Sequence, residues 1–308
     1  MVAIASACDT KFVPHFLTML DSAATSNRGA VFYLVDCGIE PEVRSKIEGF
    51  ASSLGIALHI FSPKLDEVAD LPTSATWPTA IYGRLLLPEL LPESLDRVIY
   101  VDADCIVSGS VDELWETDME SMLVAGVLDP GRKKDLERDG VTLPDYINSG
   151  VLLMNLAAWR GEKVFSQIAR YLRENITEVF DQDAINQVCK GRIRPLSHRW
   201  NFMTHMLPDY SLQKMPVIFH FTGPSKPWLH SDAPCKEIYL YHRARTPYPL
   251  ASPTKKYRSG FRRAINLLLL RPKYWRRVFR LQQYRAELES YHLENVRRAL
   301  SGTPESPA

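Results

Sequence analysis

The apolar run VIYVDADCIV (Val98–Val107) carries two carboxylates, Asp102 and Asp104, separated by Ala103. Residues i and i+2 of an extended chain point the same way, so both acids can face one partner while Ala103 turns aside. Two negative charges at a buried strand end are costly unless something neutralises them. Hard oxygen donors at this spacing suit Mg²⁺ or Mn²⁺. Such a cation would neutralise the pair and a phosphorylated leaving group together. Two carboxylates do not complete its coordination, so a diphosphate and a third protein group would be needed.

The same residues allow two other readings. They can be loop aspartates bonded to local backbone or capping a turn. An Asp-x-Asp after a strand is also how a phosphatase of the haloacid dehalogenase type places its nucleophile. That pattern has Thr or Val two residues after the second aspartate, where Ile106 stands here. It also opens its domain, whereas the pair here lies a third of the way along the chain.

The elements that must position the pair alternate in type. Val2–Ala7, Ala30–Val35, Ala57–Phe61 and Arg97–Val101 read as strands, and Phe12–Ala24, Glu40–Leu54 and Thr79–Leu91 as helices. Met122–Leu128, Gly150–Asn155 and Met215–Phe221 read as later strands, and Asp181–Cys189 as a helix with Asp181 at its N-cap. This alternation predicts an α/β fold with a mostly parallel sheet. Ligands of such sheets bind beyond the C-terminal strand ends. That selects Ala7–Phe12, Asp36–Gly38 and Asp102–Asp104.

The chain has 308 residues, 45% of them hydrophobic, enough for one large core or two smaller ones. It has no apolar run of about 20 residues, which excludes a transmembrane helix. The start, MVAIASACDTKF, lacks the basic and apolar regions of a secretory leader. Five scattered cysteines without a CxxC pair argue against a disulfide framework or a cysteine zinc site and predict a cytoplasmic protein.

Several further segments, in order, carry a resemblance. They are RLLLPELLPESLDRVIYVDADCIVSGSVDELW (84–115), YINSGVLLMNLAAWR (146–160), FDQDAIN (180–186), RWNFM (199–203) and FHFTGPSKPW (219–228). Together the chain over about residues 2–230 resembles glycosyltransferase family 8, in particular its bacterial lipooligosaccharide and lipopolysaccharide galactosyl- and glucosyltransferases. The resemblance implies a GT-A fold, a UDP-sugar donor, Mn²⁺ as cofactor with Mg²⁺ as the alternative, and retention of anomeric configuration.

By position, Asp102 and Asp104 match the family's metal-binding pair, with Ala103 between them, and His220 matches the third protein ligand. Gly223 and Lys226 match diphosphate contacts; glycine lets the backbone approach and lysine supplies a point charge. Asp9 and Phe12 match a D-x-x-Tyr in which the acid reads uracil and the aromatic packs on it. Phe12 stands where Tyr is usual, so stacking survives and the phenol contact does not. Phe12 can also simply begin a core helix face. Ala7 belongs to the same donor-binding edge. Arg84 matches an arginine that braces donor and acids. Asn148 matches an asparagine lining the sugar pocket, and Asp129 lines it too or is a plain turn residue.

Gln182 matches the residue near the face of the anomeric carbon opposite UDP, and Asp183 a carboxylate that helps hold the sugar. A glutamine is a poor nucleophile where retaining glycosidases place a carboxylate. Either a neighbouring carboxylate traps a glycosyl-enzyme, or the acceptor attacks the face that UDP leaves and a UDP oxygen takes the proton. The second is preferred. The reading is therefore a retaining hexosyltransferase, galactose first and glucose next, acting on a cell-surface saccharide. Its competitor is a non-catalytic UDP-sugar or glycan-binding protein on the same fold.

After Ser252 the chain carries 13 Lys and Arg against 4 acids, so the tail holds +9 and the remainder −8 of the net +1. Lys255 to Arg285 has 11 basic residues and no acid, interleaved with Tyr274, Trp275 and Phe279. This predicts a catalytic unit over 1–253 and a basic region over 254–308. Its 254–285 segment is expected to lie on an anionic membrane surface, at about 1 kcal/mol per basic residue. The expected place is the inner face of the cytoplasmic membrane. The acidic remainder does not favour nucleic acid.

Overall fold

The strand β1 (Ala3–Cys8) is buried along its whole length, as a central strand covered on both faces must be. It pairs in parallel with β2 (Val31–Asp36) on one side and β4 (Arg97–Val101) on the other. The computed structural model describes residues 1–74, 78–132, 145–209, 215–257 and 272–301, without the side chains of 207–209 and 272–282. Beyond β2 lies β3 (Ala57–Phe61), and beyond β4 come β7 (Ile147–Asn155), β6 (Val124–Leu128) and β8 (Ile193–Leu196). The sheet order is β3-β2-β1-β4-β7-β6-β8.

The expected mostly parallel α/β sheet is present, with β7 as its one antiparallel strand, paired with β4 and β6. That reversal builds the site. Val101 of β4 faces Val151 of β7, so Asn148–Gly150 lie just past Val101, beside Asp102. The Asp102 N–H donates to the Gly150 carbonyl at 2.8 Å.

After the aspartates the chain enters a second sheet, ordered β5-β10-β9. It comprises β5 (Cys105–Val107), β9 (Phe202–Met203) and β10 (Ile218–His220). Antiparallel pairing sets His220 opposite Cys105, one residue from Asp104. Two residues distant in sequence thus meet through register alone.

Helices α1 (Val13–Ser26) and α2 (Pro41–Leu54) flank the first half of the sheet. The helix α2 has Pro41 at its start and Gly55, at φ 67°, in the left-handed position after its end. The helix expected over Thr79–Leu91 is a 3₁₀ helix, Thr79–Leu86, followed by one α-turn, Leu87–Leu90. Pro88 at the start of that turn cannot donate to a preceding carbonyl. Gly83 lets the 3₁₀ segment press on the strand ends, since a Cβ there would lie 2.6 Å from the Ala7 Cβ.

Two further differences have local causes. The strand expected from Gly150 begins at Ile147, because side chains from a later helix satisfy its early residues: Asn186 exchanges hydrogen bonds with the Ile147 backbone. Asp181 is not an N-cap. That helix, α4 (Phe180–Val188, after α3, Val164–Glu174), starts one residue earlier. The carboxylate that receives the orphan N–H groups of Glu178 and Val179 is Asp183.

The second half of the last helix, α6 (Pro272–Ser301), packs on this core together with α5 (Lys236–Arg243). Leu288, His292 and Val296 recur every four residues and are buried. The expected division after 253 therefore follows the change of charge, while residues 284–296 lie against the core. His292 lies within a buried polar chain. Ser108 Oγ lies 2.7 Å from His292 Nδ1, the two Nε2 atoms of His292 and His242 lie 3.1 Å apart, and His242 Nδ1 lies 2.7 Å from Asp21 Oδ2.

Burial, then the neighbouring His242, pushes His292 down to about 3. Burial also lowers His242 despite Asp21. Such groups bind fewer protons folded than unfolded between the lowered value and the free value of about 6.5. Stability is therefore unaffected above pH ~6.5 and falls as pH drops below it, for His292 by up to about 1.4 kcal/mol per pH unit. Urea midpoints between pH 7.5 and 4 are expected to fall less steeply in His292→Phe than in the parent. Identical slopes would refute the assignment.

Candidate active site

The aspartate pair sits where the two sheets meet. Asp102 Oδ1 accepts from Tyr100 Oη at 2.7 Å and from Arg84 Nη2 at 3.0 Å. Asp104 Oδ2 accepts from Lys226 Nζ at 2.7 Å, and its Oδ1 lies 3.2 Å from His220 Nε2. Asp102 Oδ2 lies 3.8 Å from the same nitrogen. Ala103 turns into the core, but in a turn closed by the Cys105 N–H donating to the Asp102 carbonyl at 3.1 Å and not in the extended chain expected. Burial pushes the Asp104 carboxyl up, but Lys226 and His220 outweigh it and hold Asp104 well below the usual carboxylate range.

These donors fit a divalent cation. Oxygens of both aspartates and one imidazole nitrogen converge, and the space beside them is kept by a missing side chain. A Cβ on Gly150 would lie 2.1 Å from His220 Cε1 and 2.7 Å from Asp102 Oδ2. Cys105 also has its sulfur within 4.8 Å of donor atoms of Asp104 and His220. Burial, with both aspartates adding, pushes that thiol well up, so it stays protonated and is a poor ligand. The acids and the imidazole are the better set. Gly150→Ala is accordingly expected to cost about 10–100-fold in divalent-cation affinity while the fold persists. Calorimetric titration with Mn²⁺ checks this; an unchanged affinity would remove Gly150 from the site.

Arg84 is buried and bridges two acids: Asp102 and, through Nε at 3.1 Å, Asp181 Oδ2. Its guanidinium also donates to the Ser149 carbonyl at 2.5 Å and lies 4.6 Å from the centre of the Tyr100 ring. One cation therefore holds the end of β4, the start of β7 and the start of α4 in register.

On the other side of Asp102 runs a chain of amides. Asn148 Nδ2 donates to Gln182 Oε1 at 2.9 Å, and the Ser149 N–H donates to the same oxygen at 3.1 Å. Gln182 Nε2 donates to Asp129 Oδ2 and Tyr146 Oη, both at 3.2 Å. Tyr146 Oη in turn donates to Asp183 Oδ1 at 2.5 Å. Arg132 donates to both oxygens of Asp183, at 3.2 and 2.9 Å, and pairs with Glu178. Burial raises the Asp183 carboxyl, but bonds from Arg132 and Tyr146 bring it below its ordinary range. With two backbone N–H groups added, that carboxylate has no oxygen left as a ready nucleophile.

At the first strand end, Asp9 Oδ1 accepts the Phe12 N–H at 3.0 Å. Phe12 is 40% exposed, which excludes the core-face alternative. Ala7 is buried against the Gly83 backbone. Phe12 contacts His15, whose ring lies 3.9 Å from that of Trp228. Burial, then Arg243, pushes His15 down to about 4. Gly223 has φ 77°, a conformation that favours glycine, in the turn leading to Lys226. Lys226 also donates to the Phe221 carbonyl at 2.5 Å.

The sequence residues thus converge: Asp102, Asp104, His220 and Lys226 at one end, Asn148, Gln182 and Asp183 at the other, with Arg84 between. Four participants escape a reading by motif. Asp181, Tyr146 and Asn201 lie inside the segments that carry the resemblance, but nothing in their spacing gives their partners. Tyr146 and Arg132 serve Asp183 from outside α4. The segments 72–79 and 130–145 fall partly outside the described residues.

The chain is 27% identical over 268 residues to General stress protein A of Bacillus subtilis, covering 80% of this chain and 94% of that one. It is 26% identical over 270 residues to the lipopolysaccharide 1,2-glucosyltransferase of Escherichia coli, covering 81% and 80%. The galactosyltransferase LgtC, solved with donor and acceptor sugar analogues, superposes with a TM-score of 0.71 at 24% identity, over 82% of this chain and 98% of that one. At that identity the likeness speaks for the fold, a GT-A α/β fold. The model of glycosyl transferase family 8 matches residues 3–232, and the chain belongs to that family.

Proposed function

We propose that this glycosyltransferase moves a hexose, galactose in first place and glucose next, from a UDP-sugar onto a saccharide of lipopolysaccharide, lipooligosaccharide or a similar glycan, with retention and with Mn²⁺. The observation that carries this is the convergence of Asp102, Asp104 and His220 beside Lys226 on one side of the site, with the fixed amide of Gln182 on the other. Relatives named as lipopolysaccharide transferases support the acceptor class.

A bound Mn²⁺ would supply positive charge to the departing diphosphate. Lys226, now paired with Asp104, supplies a second charge, and the turn at Gly223 gives the phosphates close approach. Asp9 and Phe12 take the uracil. Arg84 holds Asp102 in place. Asn148 and Gln182 line the sugar, and Asp183 holds Gln182 through Tyr146. Asp183 is saturated by Arg132, Tyr146 and backbone, and Asp181 is paired with Arg84. Attack on the face that UDP leaves, with a UDP oxygen taking the proton, therefore suits these residues better than a covalent carboxylate intermediate.

Of the basic segment 254–285, residues 258–271 lie outside the described residues and 272–285 begin α6. No helix among the described residues is long and apolar enough to cross a membrane. We assign this segment to an anionic membrane surface on the cytoplasmic side. Anionic vesicles are expected to retain the full chain at low salt and release it at high salt; no retention would refute it.

The deciding experiment is UDP release by the full chain from a panel of UDP-sugars, with and without Mn²⁺. Release from UDP-galactose or UDP-glucose alone, requiring Mn²⁺, is the expected result. Tight UDP-sugar binding with no release, even with lipopolysaccharide acceptors, would favour the binding-protein reading.

A further inference from the structure

Asn201 follows the buried Trp200 and opens β9, and its side chain is fully buried. It touches both halves of the site. Asn201 Oδ1 lies 2.9 Å from His220 Nδ1, and Asn201 Nδ2 donates to Asn148 Oδ1 at 2.8 Å. It thereby joins β10 of the small sheet to β7 of the large one.

The polarity of this chain is fixed by backbone. The Gly150 N–H can only donate, and it reaches Asn148 Oδ1 at 3.0 Å. The Ser149 N–H fixes Gln182 Oε1 in the same way. Asn148 must therefore present its oxygen to Asn201, which must answer with its amide nitrogen. The remaining Asn201 oxygen is then turned to His220. An oxygen accepts, so His220 Nδ1 carries the proton and Nε2 presents a lone pair to Asp102 and Asp104. Reversing Asn201 would set two amide oxygens face to face and place the proton on Nε2, where it blocks a cation.

We propose that Asn201 is a positioning residue that sets the ligating tautomer of His220 and couples the cation end of the site to Asn148 and Gln182 at the sugar end. This rests on the reading that Asp102, Asp104 and His220 hold the cation. Asn201→Ala removes both contacts. Asn201→Asp keeps an acceptor for His220 Nδ1 and loses the donor to Asn148.

The test is calorimetric titration of the full chain with UDP, in Mn²⁺ and in EDTA, beside turnover of the UDP-sugar. Asn201→Ala is expected to lose about 10–100-fold in UDP affinity in Mn²⁺ and nothing in EDTA. Asn201→Asp is expected to keep that affinity within about 3-fold while turnover falls about 10-fold or more, a split that a merely structural residue would not produce. A folded Asn201→Ala with parental affinity in Mn²⁺, or an Asn201→Asp as weak as Asn201→Ala, overturns the proposal. The nitrogen chemical shifts of His220 in the parent protein with UDP and diamagnetic Mg²⁺ need no variant. Protonated Nδ1 is expected, and protonated Nε2 overturns the proposal. A parent protein whose UDP affinity ignores Mn²⁺ sinks the cation reading itself, a distinct result.

Discussion

Asp104→Asn is expected to lower UDP-sugar turnover by about 10³-fold, the scale of removing a preorganised charge contact from a transition state. Three losses add at one position. The cation loses an anionic ligand. Lys226 loses its 2.7 Å partner and keeps only the Phe221 carbonyl. His220 Nε2 loses the nearer of its two carboxylates. Removing one member of a buried charge set also destabilises, by about 3 kcal/mol, because the other charges stay buried without compensation. Bound Mn²⁺ does not rescue the variant, since the ligand itself is missing. Initial rates at saturating UDP-sugar and a Mn²⁺ titration check this. A variant that keeps a tenth of parental turnover would show that Asp104 is not a ligand.

Ending the chain after Pro253 is expected to abolish cooperative unfolding, although all the residues assigned to the site remain. The lost segment buries Leu288 and Val296, worth about 1.5–3 kcal/mol each. It also takes His292 away from Ser108 and His242, and Asn295 from the Ser108 carbonyl. Each buried polar group left without a partner costs about 1–3 kcal/mol. Together these reach at least about 5 kcal/mol, the size of a domain's whole stability. The effect would reach the site, because α5 presents Tyr239 to His15 and Trp228 beside Lys226. Thermal and urea unfolding of chains ending at 253 and at 308 test this. A shorter chain that unfolds cooperatively within about 3 °C of the longer one would show that α6 is dispensable.

Much of the architecture is a local matter. The alternation of strand and helix and the Pro and Gly at the ends of α2 each depend on neighbours in sequence. Strand ends of an α/β sheet then locate the site before any contact is known. The Thr79–Leu91 segment shows where local reading stops. Its periodicity suits a helix, yet close packing of Gly83 on Ala7 and Cys37 selects a tighter 3₁₀ path.

The sequence by itself determined the fold class, the positions of the acids at strand ends, the histidine and lysine of the FHFTGPSKPW segment, and the charge boundary near residue 253. Tertiary structure alone decided who partners whom. Arg132 reaches Asp183 across 51 residues and Asn201 reaches Asn148 across 53. Neither pairing has a sequence signature, because a side chain of either type has many hydrogen-bonding alternatives and only the packed sheets remove them. Asp181 and Asp183 make the same point at closest range. Two identical residues in one helical turn face different cations, Arg84 and Arg132, because 3.6 residues per turn aim them in different directions. What each then does is set by the strand that stands opposite.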